Sequence, residues 1–477
     1  MSFELAMYNW TMVRTRIAPS PTGEDLHIGN LYTALFNWAF ARKNNGQFIV
    51  RIEDTDRKRM VEDSEKRILS TLKKYGLEYD ESVDKSGQYG PYRQSERLDI
   101  YKKYAEELVA KGKAYYCFCT EERLSKLREE QKNNKIPPRY DKHCLKEITD
   151  HESRIKKGES FVIRLNVPEN EDITFHDEIR GDITINTNNI DDQVLIKSDG
   201  FPTYHLAVVV DDHLMEISHV IRGEEWIAST PKHVLLYRYF GWELPVYVHS
   251  PLLRNPDKSK LSKRKNPVWS SWYLNEGYLP DAMLNFLALM GWSHPEEKEI
   301  FSLEEFVEVI DLKRLSTVGP VFDIKKLEWL NGEYIRKIKS EELKLTIYEF
   351  FEKKYSSELI EKTIPLIQER IKTLKEYDEY CRFFIEEPKE YEINLDGKRD
   401  LLKKMHETLT TIKDWNANII GEAMQHLAQD EGISISKFFM LLRVAMTGKK
   451  ITPPLNESME ILGKEEVLKR ISVIVQA

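Results

Sequence analysis

Only four of the 477 residues are cysteine. Cys117, Cys119, Cys144 and Cys381 are too few and too unevenly spread for a disulfide framework, and three of them cluster in a way that suits a metal better than a cross-link. No apolar run approaches the roughly 20 residues that span a bilayer, and the stretch from Met1 to Met12 carries Glu4 but no basic flank of a secretory signal. A cytoplasmic protein with no membrane partner is expected. Nor is there an excess of positive charge: 71 lysines and arginines stand against 79 acidic residues, a net charge of −8. Any contact with nucleic acid therefore depends on local patches, such as Lys258, Lys260, Lys263, Arg264 and Lys265. Taken alone, that patch also fits a solvated loop. Internal repeats and low-complexity tracts are absent.

What is present reads as α/β followed by all-α, with length enough for roughly three ordinary domains. Residues 13–18 and 48–52 have the pattern of strands and residues 31–43 and 62–75 that of helices. This β-α-β-α order implies a parallel sheet. The pattern resumes with strand-like residues 207–210 and 219–221, then a helix over 231–240 with Thr230 at its N-cap and Pro231 at its first position. Between them, from about residue 97 to residue 202, lie the cysteine cluster, a basic passage with prolines at 132–139, and β-like runs at 161–167 and 182–186. The whole stretch reads as an insertion splitting the α/β domain. After Leu330 the pattern is helical. Ile360, Ile364, Ile367, Ile371 and Leu374 form the stripe of one amphipathic helix, and similar windows recur at 343–351, 401–412, 433–444 and 465–475.

Arg16-Ile17-Ala18-Pro19-Ser20-Pro21-Thr22-Gly23, followed by His27-Ile28-Gly29-Asn30, sits where the first strand hands over to the first helix. Prolines and a glycine force an irregular exit from the strand, and the helix start presents unpaired N–H groups and a positive dipole end. A phosphate fits there. Gly29 would let it approach the backbone, and His27 could donate a hydrogen bond to a phosphoryl oxygen whose charge grows in the transition state. The plainer alternative is a capping or packing histidine. Far downstream, Lys260-Leu261-Ser262-Lys263-Arg264 supplies point charges on long stems that can follow shifting phosphates.

Together the two blocks resemble the paired ATP-binding motifs, HIGH-type and KMSKS-type, of class I aminoacyl-tRNA synthetases. Residues 15–23, Phe48-Ile49-Val50-Arg51-Ile52-Glu53-Asp54-Thr55-Asp56, Gly90-Pro91-Tyr92-Arg93-Gln94-Ser95, Pro202-Thr203-Tyr204, Val210-Asp211-Asp212, Val220-Ile221-Arg222-Gly223-Glu224-Glu225 and residues 260–264 look, more specifically, like the glutamyl-tRNA synthetases. The blocks run in order over nearly the whole chain. Asn30 departs from the last histidine of the first motif, and Leu261 and Arg264 replace the methionine and final serine of the second.

The resemblance implies a Rossmann-type parallel sheet split by an α+β insertion and followed by an all-α anticodon-binding region. Its boundaries would be a first catalytic half in residues 1–97, an acceptor-binding insertion in 98–203, a second catalytic half in 204–249, a stem-contact region with the KMSKS-type loop in 250–335, and the helical region in 336–477. The implied activity is that of a monomeric ligase. ATP with Mg2+ would activate L-glutamate to glutamyl-adenylate, and the acyl group would pass to the 3′ end of tRNA(Glu), with bound tRNA needed for the first step. Glutaminyl-tRNA synthetases share the motifs but normally end in β-barrels, which the helical C-terminal third disfavours.

Carried over by position, the resemblance implies catalytic roles for His27, Lys260 and Lys263. ATP contacts would come from Pro19, Gly29, Glu225 and Trp226 together with those three. Glutamate would be held by Arg16, Ser20, Glu53, Tyr204 and Arg222, with Arg222 pairing its planar fork with the side-chain carboxylate and Glu53 taking the ammonium group. In isolation Arg222 or Glu53 would read as a surface ion pair. Cys117, Cys119 and Cys144, with Tyr140 as an unusual fourth ligand and His143 as its alternative, resemble the structural zinc site of some members; three buried thiols without a metal are the other reading. Arg370 falls where the family places an arginine that reads the anticodon, and otherwise reads as an exposed helix arginine. Residues before Met12 have no counterpart in the resemblance, which fits a translation start at Met12 as well as at Met1.

Overall fold

Arg14–Ile17 (β1), buried along its whole length, pairs in parallel with Gln47–Val50 (β2), placing Thr15 opposite Phe48 and Ile17 opposite Val50. A computed structural model describes residues 12–259, 261 and 267–476. The alternative starts and the residues Lys260, Ser262, Lys263, Arg264 and Lys265 bear on positions outside that set, apart from Met12 itself. The crossover between β1 and β2 is the Ile28–Lys43 helix, which buries Leu31, Leu35, Phe36 and Ala39. It begins earlier than the apolar stripe alone suggests because His27 is extended (φ −66°, ψ 141°) and its side chain accepts from the Gly29 N–H, an N-cap that starts the helix at Ile28.

Seven further strands follow among the described residues: Ala114–Cys117 (β3), Val162–Leu165 (β4), Asp172–Asp177 (β5), Gly181–Asn186 (β6), Val194–Ile196 (β7), His219–Gly223 (β8) and Val246–Ser250 (β9). β3, β4 and β7 form an antiparallel sheet, while the order β6-β5-β9-β8 makes a mixed one with β8 and β9 parallel. The Ser218 N–H donates to the Arg14 carbonyl at 3.0 Å, so β1 lies beside the entry to β8. β5, within the segment read as an insertion, meets β9 in parallel at Asp177 and Tyr247. Its strict alternation of exposed and buried residues is the period of a half-covered strand.

Three local expectations are corrected. Residues 207–210 are not a strand but lie in the Tyr204–Leu214 helix, whose consecutive residues Leu206 to Asp212 are all buried. A helix covered on every side loses its 3.6-residue signature, and a short β-branched run then looks like a strand. Thr230 is not an N-cap but the first residue of the Thr230–Phe240 helix, preceded by Ser229, with Pro231 in its first turn. The isoleucine stripe does not belong to one helix. The Ser357–Ile367 helix contains Pro365 and ends before Arg370, and the Leu374 N–H donates to the Gly277 carbonyl instead of continuing the helical ladder. Ile371 and Leu374 still enter the same core as Ile360, Ile364 and Ile367.

The chain divides into two units. One contains Met1–Trp272 and Met283–Asp323, and holds every strand described above. The other contains Tyr273–Ala282 and Ile324–Ala477. It is all-α, with helices at Ser340–Phe350, Arg399–Thr411, Ile435–Thr447 and Lys464–Gln476 answering the four helical windows of the sequence. Among the described residues no helix is long and apolar enough to cross a membrane.

Candidate active site

The carboxyl ends of β1, β2 and β8 and the start of the Ile28–Lys43 helix open on a cavity of about 1200 Å³, where open α/β sheets bind their ligands. Arg16, Pro19, Ser20, His27, Gly29, Glu53, Tyr204, Arg222, Glu225 and Trp226 all line it. Lys260 and Lys263 lie outside the described residues, though Leu261 between them lines the same space. His27 both caps the helix and faces the cavity: its Nδ1 accepts the Gly29 N–H at 3.0 Å, so the neutral ring carries its hydrogen on Nε2 as a donor. A Cβ at Gly29 would lie 3.2 Å from that Nδ1, crowding the cap.

Two groups of charge reach this space, one through Arg16 and Glu53 and the other through Arg222. Arg16 grips Asp212 with both prongs, Nε to Oδ1 and Nη2 to Oδ2, each at 3.1 Å. Arg51, fully buried, donates to Asp212 at 2.7 Å and to Glu53 at 3.2 Å, and its Nε lies 3.6 Å from Asp211. Asp211 also accepts from Arg97 at 2.7 Å and from the Tyr101 hydroxyl. Three guanidiniums thus face three carboxylates. Burial still raises Glu53 to about 7 against the pull of Arg51 and Arg16, while Asp212, though burial opposes it, is held below the usual carboxylate range by Arg16 and Arg51.

Arg222 is different. Its side chain is 5% exposed, yet its partners are neutral: Nε donates to His249 Nε2 at 3.1 Å, Nη1 to the Tyr204 hydroxyl at 3.3 Å and to His233 Nδ1 at 3.2 Å, and Nη2 to the Thr230 hydroxyl at 2.7 Å. Tyr204 packs against Trp226, with ring centroids 4.2 Å apart and the planes tilted by 30°.

In the same unit, Cys117, Cys119 and Cys144 bring their sulfurs within 4.8 Å of one another. Cys119 and Cys144 are 3.5 Å apart, and the Tyr140 hydroxyl lies 3.4 Å from Cys117 and 3.2 Å from Cys119. Tetrahedral zinc with about 2.3 Å sulfur and about 2.0 Å oxygen bonds needs S–S near 3.8 Å and S–O near 3.5 Å, and these three distances each lie within about 0.3 Å of those values. His143 is not in the cluster. Hydrogen bonding from Cys144 is the main cause that holds the Cys117 thiol below its ordinary value.

Residues 12–329 match the family "tRNA synthetases class I (E and Q), catalytic domain", and residues 329–475 match "Anticodon binding domain". The chain belongs to the class I tRNA synthetases of the E and Q type. A glutamate–tRNA ligase of Acidothermus cellulolyticus is 47% identical to this synthetase over 479 residues, covering 96% of this chain and 94% of the relative. One of Thermus thermophilus is also 47% identical, covering 96% and 99%. Among solved structures, a glutamate tRNA ligase from Elizabethkingia meningosepticum in complex with its amino acid superimposes with a TM-score of 0.84 at 36% identity, covering 98% of this chain and 99% of that one.

Sequence reasoning assigned no role in the synthetase to His233 and His249, which bond Arg222, or to Asp177, which bonds His249. They come from separate elements with no shared spacing, so no linear signal marks them. Arg443 was missed too. In the helical unit, the exposed Arg370 follows the Ser357–Ile367 helix, and burial followed by the charge of Arg370 lowers the pKa of Arg443. The Arg443 Nε is buried with no hydrogen-bond partner among the described residues.

Proposed function

We propose that this synthetase activates L-glutamate with Mg·ATP and transfers the acyl group to the 3′ end of tRNA(Glu), as a cytoplasmic monomer. The observation that carries the reading is Arg222, a buried cation with only neutral partners in the same cavity as His27 and the Ile28–Lys43 helix start. A site that solvates a guanidinium without neutralising it is complementary to a small ligand bearing a carboxylate.

On this reading Arg222 holds the side-chain carboxylate, Glu53 the ammonium group, and Ser20 and Tyr204 complete the hydrogen bonds. The α-carboxylate attacks the α-phosphate, and no covalent enzyme intermediate is needed. The helix N–H groups and the Nε2–H of His27 stabilise charge that grows on the phosphoryl oxygens. Glu225 and Trp226 flank the adenosine beside Pro19 and Gly29. Lys260 and Lys263 would follow the leaving pyrophosphate, a role that rests on the motif alone. The insertion in 98–203 would receive the acceptor end, its cysteine cluster holding a structural zinc through Cys117, Cys119, Cys144 and Tyr140; residues 250–335 would meet the tRNA stem. Arg370 and Arg443, like charges brought together in the helical region 336–477, suit an anionic or base-edge partner in the anticodon.

Aminoacylation of purified tRNA(Glu) and tRNA(Gln) side by side tests this. Glutamate should be charged onto tRNA(Glu), and ATP–pyrophosphate exchange should require both glutamate and tRNA. Exchange that is supported by glutamine and not by glutamate would overturn the assignment.

A further inference from the structure

The groups around Arg222 form a chain in which the direction of each hydrogen bond fixes the next. Asp177 ends β5, with its Oδ1 accepting from the backbone N–H groups of Ile179 (3.1 Å) and Arg180 (3.0 Å) and its Oδ2 from that of His249 (2.9 Å). A carboxylate so surrounded stays ionised, and His249 contributes to holding it below the usual range against burial. It lies 2.7 Å from His249 Nδ1, which therefore carries the imidazole hydrogen and donates it. His249 Nε2 is left as a pure acceptor, aimed at Arg222 Nε. The register of β8 and β9 places Arg222 directly opposite His249. On the other prong, His233 Nδ1 accepts from Arg222, so His233 Nε2 bears the hydrogen and donates to His205 Nδ1 at 3.1 Å.

Both imidazoles are neutral: burial lowers His249 to about 4 and takes His233 well below its ordinary value. The tyrosine and threonine hydroxyls that complete the set, and the Tyr247 ring 5.6 Å from the guanidinium carbon, carry no charge either. Asp177 is the nearest anion in this chain of contacts, and a neutral imidazole stands between it and the arginine.

We propose that Asp177, His249 and His233 are positioning residues that hold Arg222 as an unneutralised cation, with four of its five N–H groups given to neutral acceptors, and thereby set the preference of the site for a side-chain carboxylate over an amide. This rests on Arg222 being the group that holds the substrate side chain. A carboxylate beside Arg222 would cancel the charge and let an amide compete; imidazoles of fixed tautomer orient the fork and leave the charge for the ligand. Asp177 acts at one remove, by holding His249 in the accepting tautomer. In Asp177→Asn the amide can donate to Nδ1 and turn the Nε2 hydrogen toward the Arg222 N–H, donor against donor.

The test uses the full chain with tRNA(Glu) and measures KM and kcat for glutamate and glutamine in ATP–pyrophosphate exchange for Asp177→Asn, His233→Gln and Arg222→Ala, with thermal unfolding of each. Loss of an aligned hydrogen bond to a charged group should raise KM for glutamate at least about tenfold in the first two variants, with kcat changed by less than about threefold. The glutamate-to-glutamine preference should shrink at least about tenfold in both. Unchanged KM and preference, or parallel losses in kcat and KM with preference intact, would overturn the proposal. Should Asp177→Asn not fold, His233→Gln decides by itself. If Arg222→Ala leaves glutamate KM unchanged, the underlying assignment of Arg222 fails; if it raises KM while the other two do not, the positioning proposal alone fails.

Discussion

Arg16 and Arg222 line one cavity with nearly equal exposure, 4% and 5%, but their charges are answered in different ways. Arg16 belongs to a closed set in which three guanidiniums meet three carboxylates, and it joins β1 to the Tyr204–Leu214 helix through Asp212. Arg222 belongs to an open set in which every acceptor is neutral. A closed set is assembled by folding and leaves little for a ligand to gain. An open one is completed by the ligand. We propose that Arg222 offers its charge to the ligand, while Arg16, which the motif also suggests as a glutamate contact, in addition holds Asp212 and the charge around Glu53.

The largest effect that would separate the two sets is on stability. Asp212→Ala removes the carboxylate that the buried Arg16 and Arg51 share, and should destabilise the α/β unit by about 3–5 kcal/mol. Denaturant unfolding followed by tryptophan fluorescence reads it. A loss under about 1 kcal/mol would mean that the closed set is not structural, and the contrast with Arg222 would lose its basis.

Glu53 sharpens the comparison because it is the strained member of the closed set. Its carboxyl is raised from 4.5 to about 7 by burial. In the unfolded chain it ionises freely as the pH passes about 4.5, whereas the folded site resists until about 7, so stability falls as the pH rises through that window. Glu53→Gln removes this cost and should stabilise the protein at pH 8 by about 3 kcal/mol, while weakening glutamate binding. In the unmodified enzyme, KM for glutamate should rise as the pH drops from 8 to 6, by at most about tenfold per unit, because the protonated carboxyl no longer attracts an ammonium group. A flat KM profile over that range would remove Glu53 from substrate binding.

How far the sequence reveals these features depends on whether their chemistry is local. His27, Glu53, Arg222 and the cysteines stand in short blocks, and most residues of the first motif, with Leu261 of the second, line one cavity. The parallel pairing of β1 with β2 was legible from alternating periods, and the all-α region from its stripes. What is missed is assembled across elements. Asp177, His249 and His233 come from β5, β9 and the Thr230–Phe240 helix, and none is marked by spacing. Residues 207–210 mislead because burial on all sides erases the helical period. The stripe ending at Leu374 misleads for the opposite reason, since two segments separated by a turn keep one period by packing into one core.

The smallest expected effect concerns a third charged cluster, open in the opposite sense. At Cys117, Cys119 and Cys144 the donors are soft and become anionic on losing protons, so a cation would complete the set as a carboxylate completes that of Arg222. Tyr140 is the natural fourth donor: its hydroxyl lies within 3.4 Å of two of the sulfurs and accepts the Cys144 N–H at 3.0 Å, which fixes its position from the same turn that carries the third thiol. Tyr140→Phe keeps the ring in its place between Tyr115 and Arg164 and removes only the oxygen. Zinc affinity, measured by competition with a chromophoric chelator, should fall about tenfold, and glutamate-dependent exchange should change by less than about threefold because the cluster belongs to the insertion and not to the cavity lining. Unchanged zinc affinity would leave the fourth position to water, and a large loss of exchange would mean that the two open clusters are coupled through the sheet formed by β3, β4 and β7.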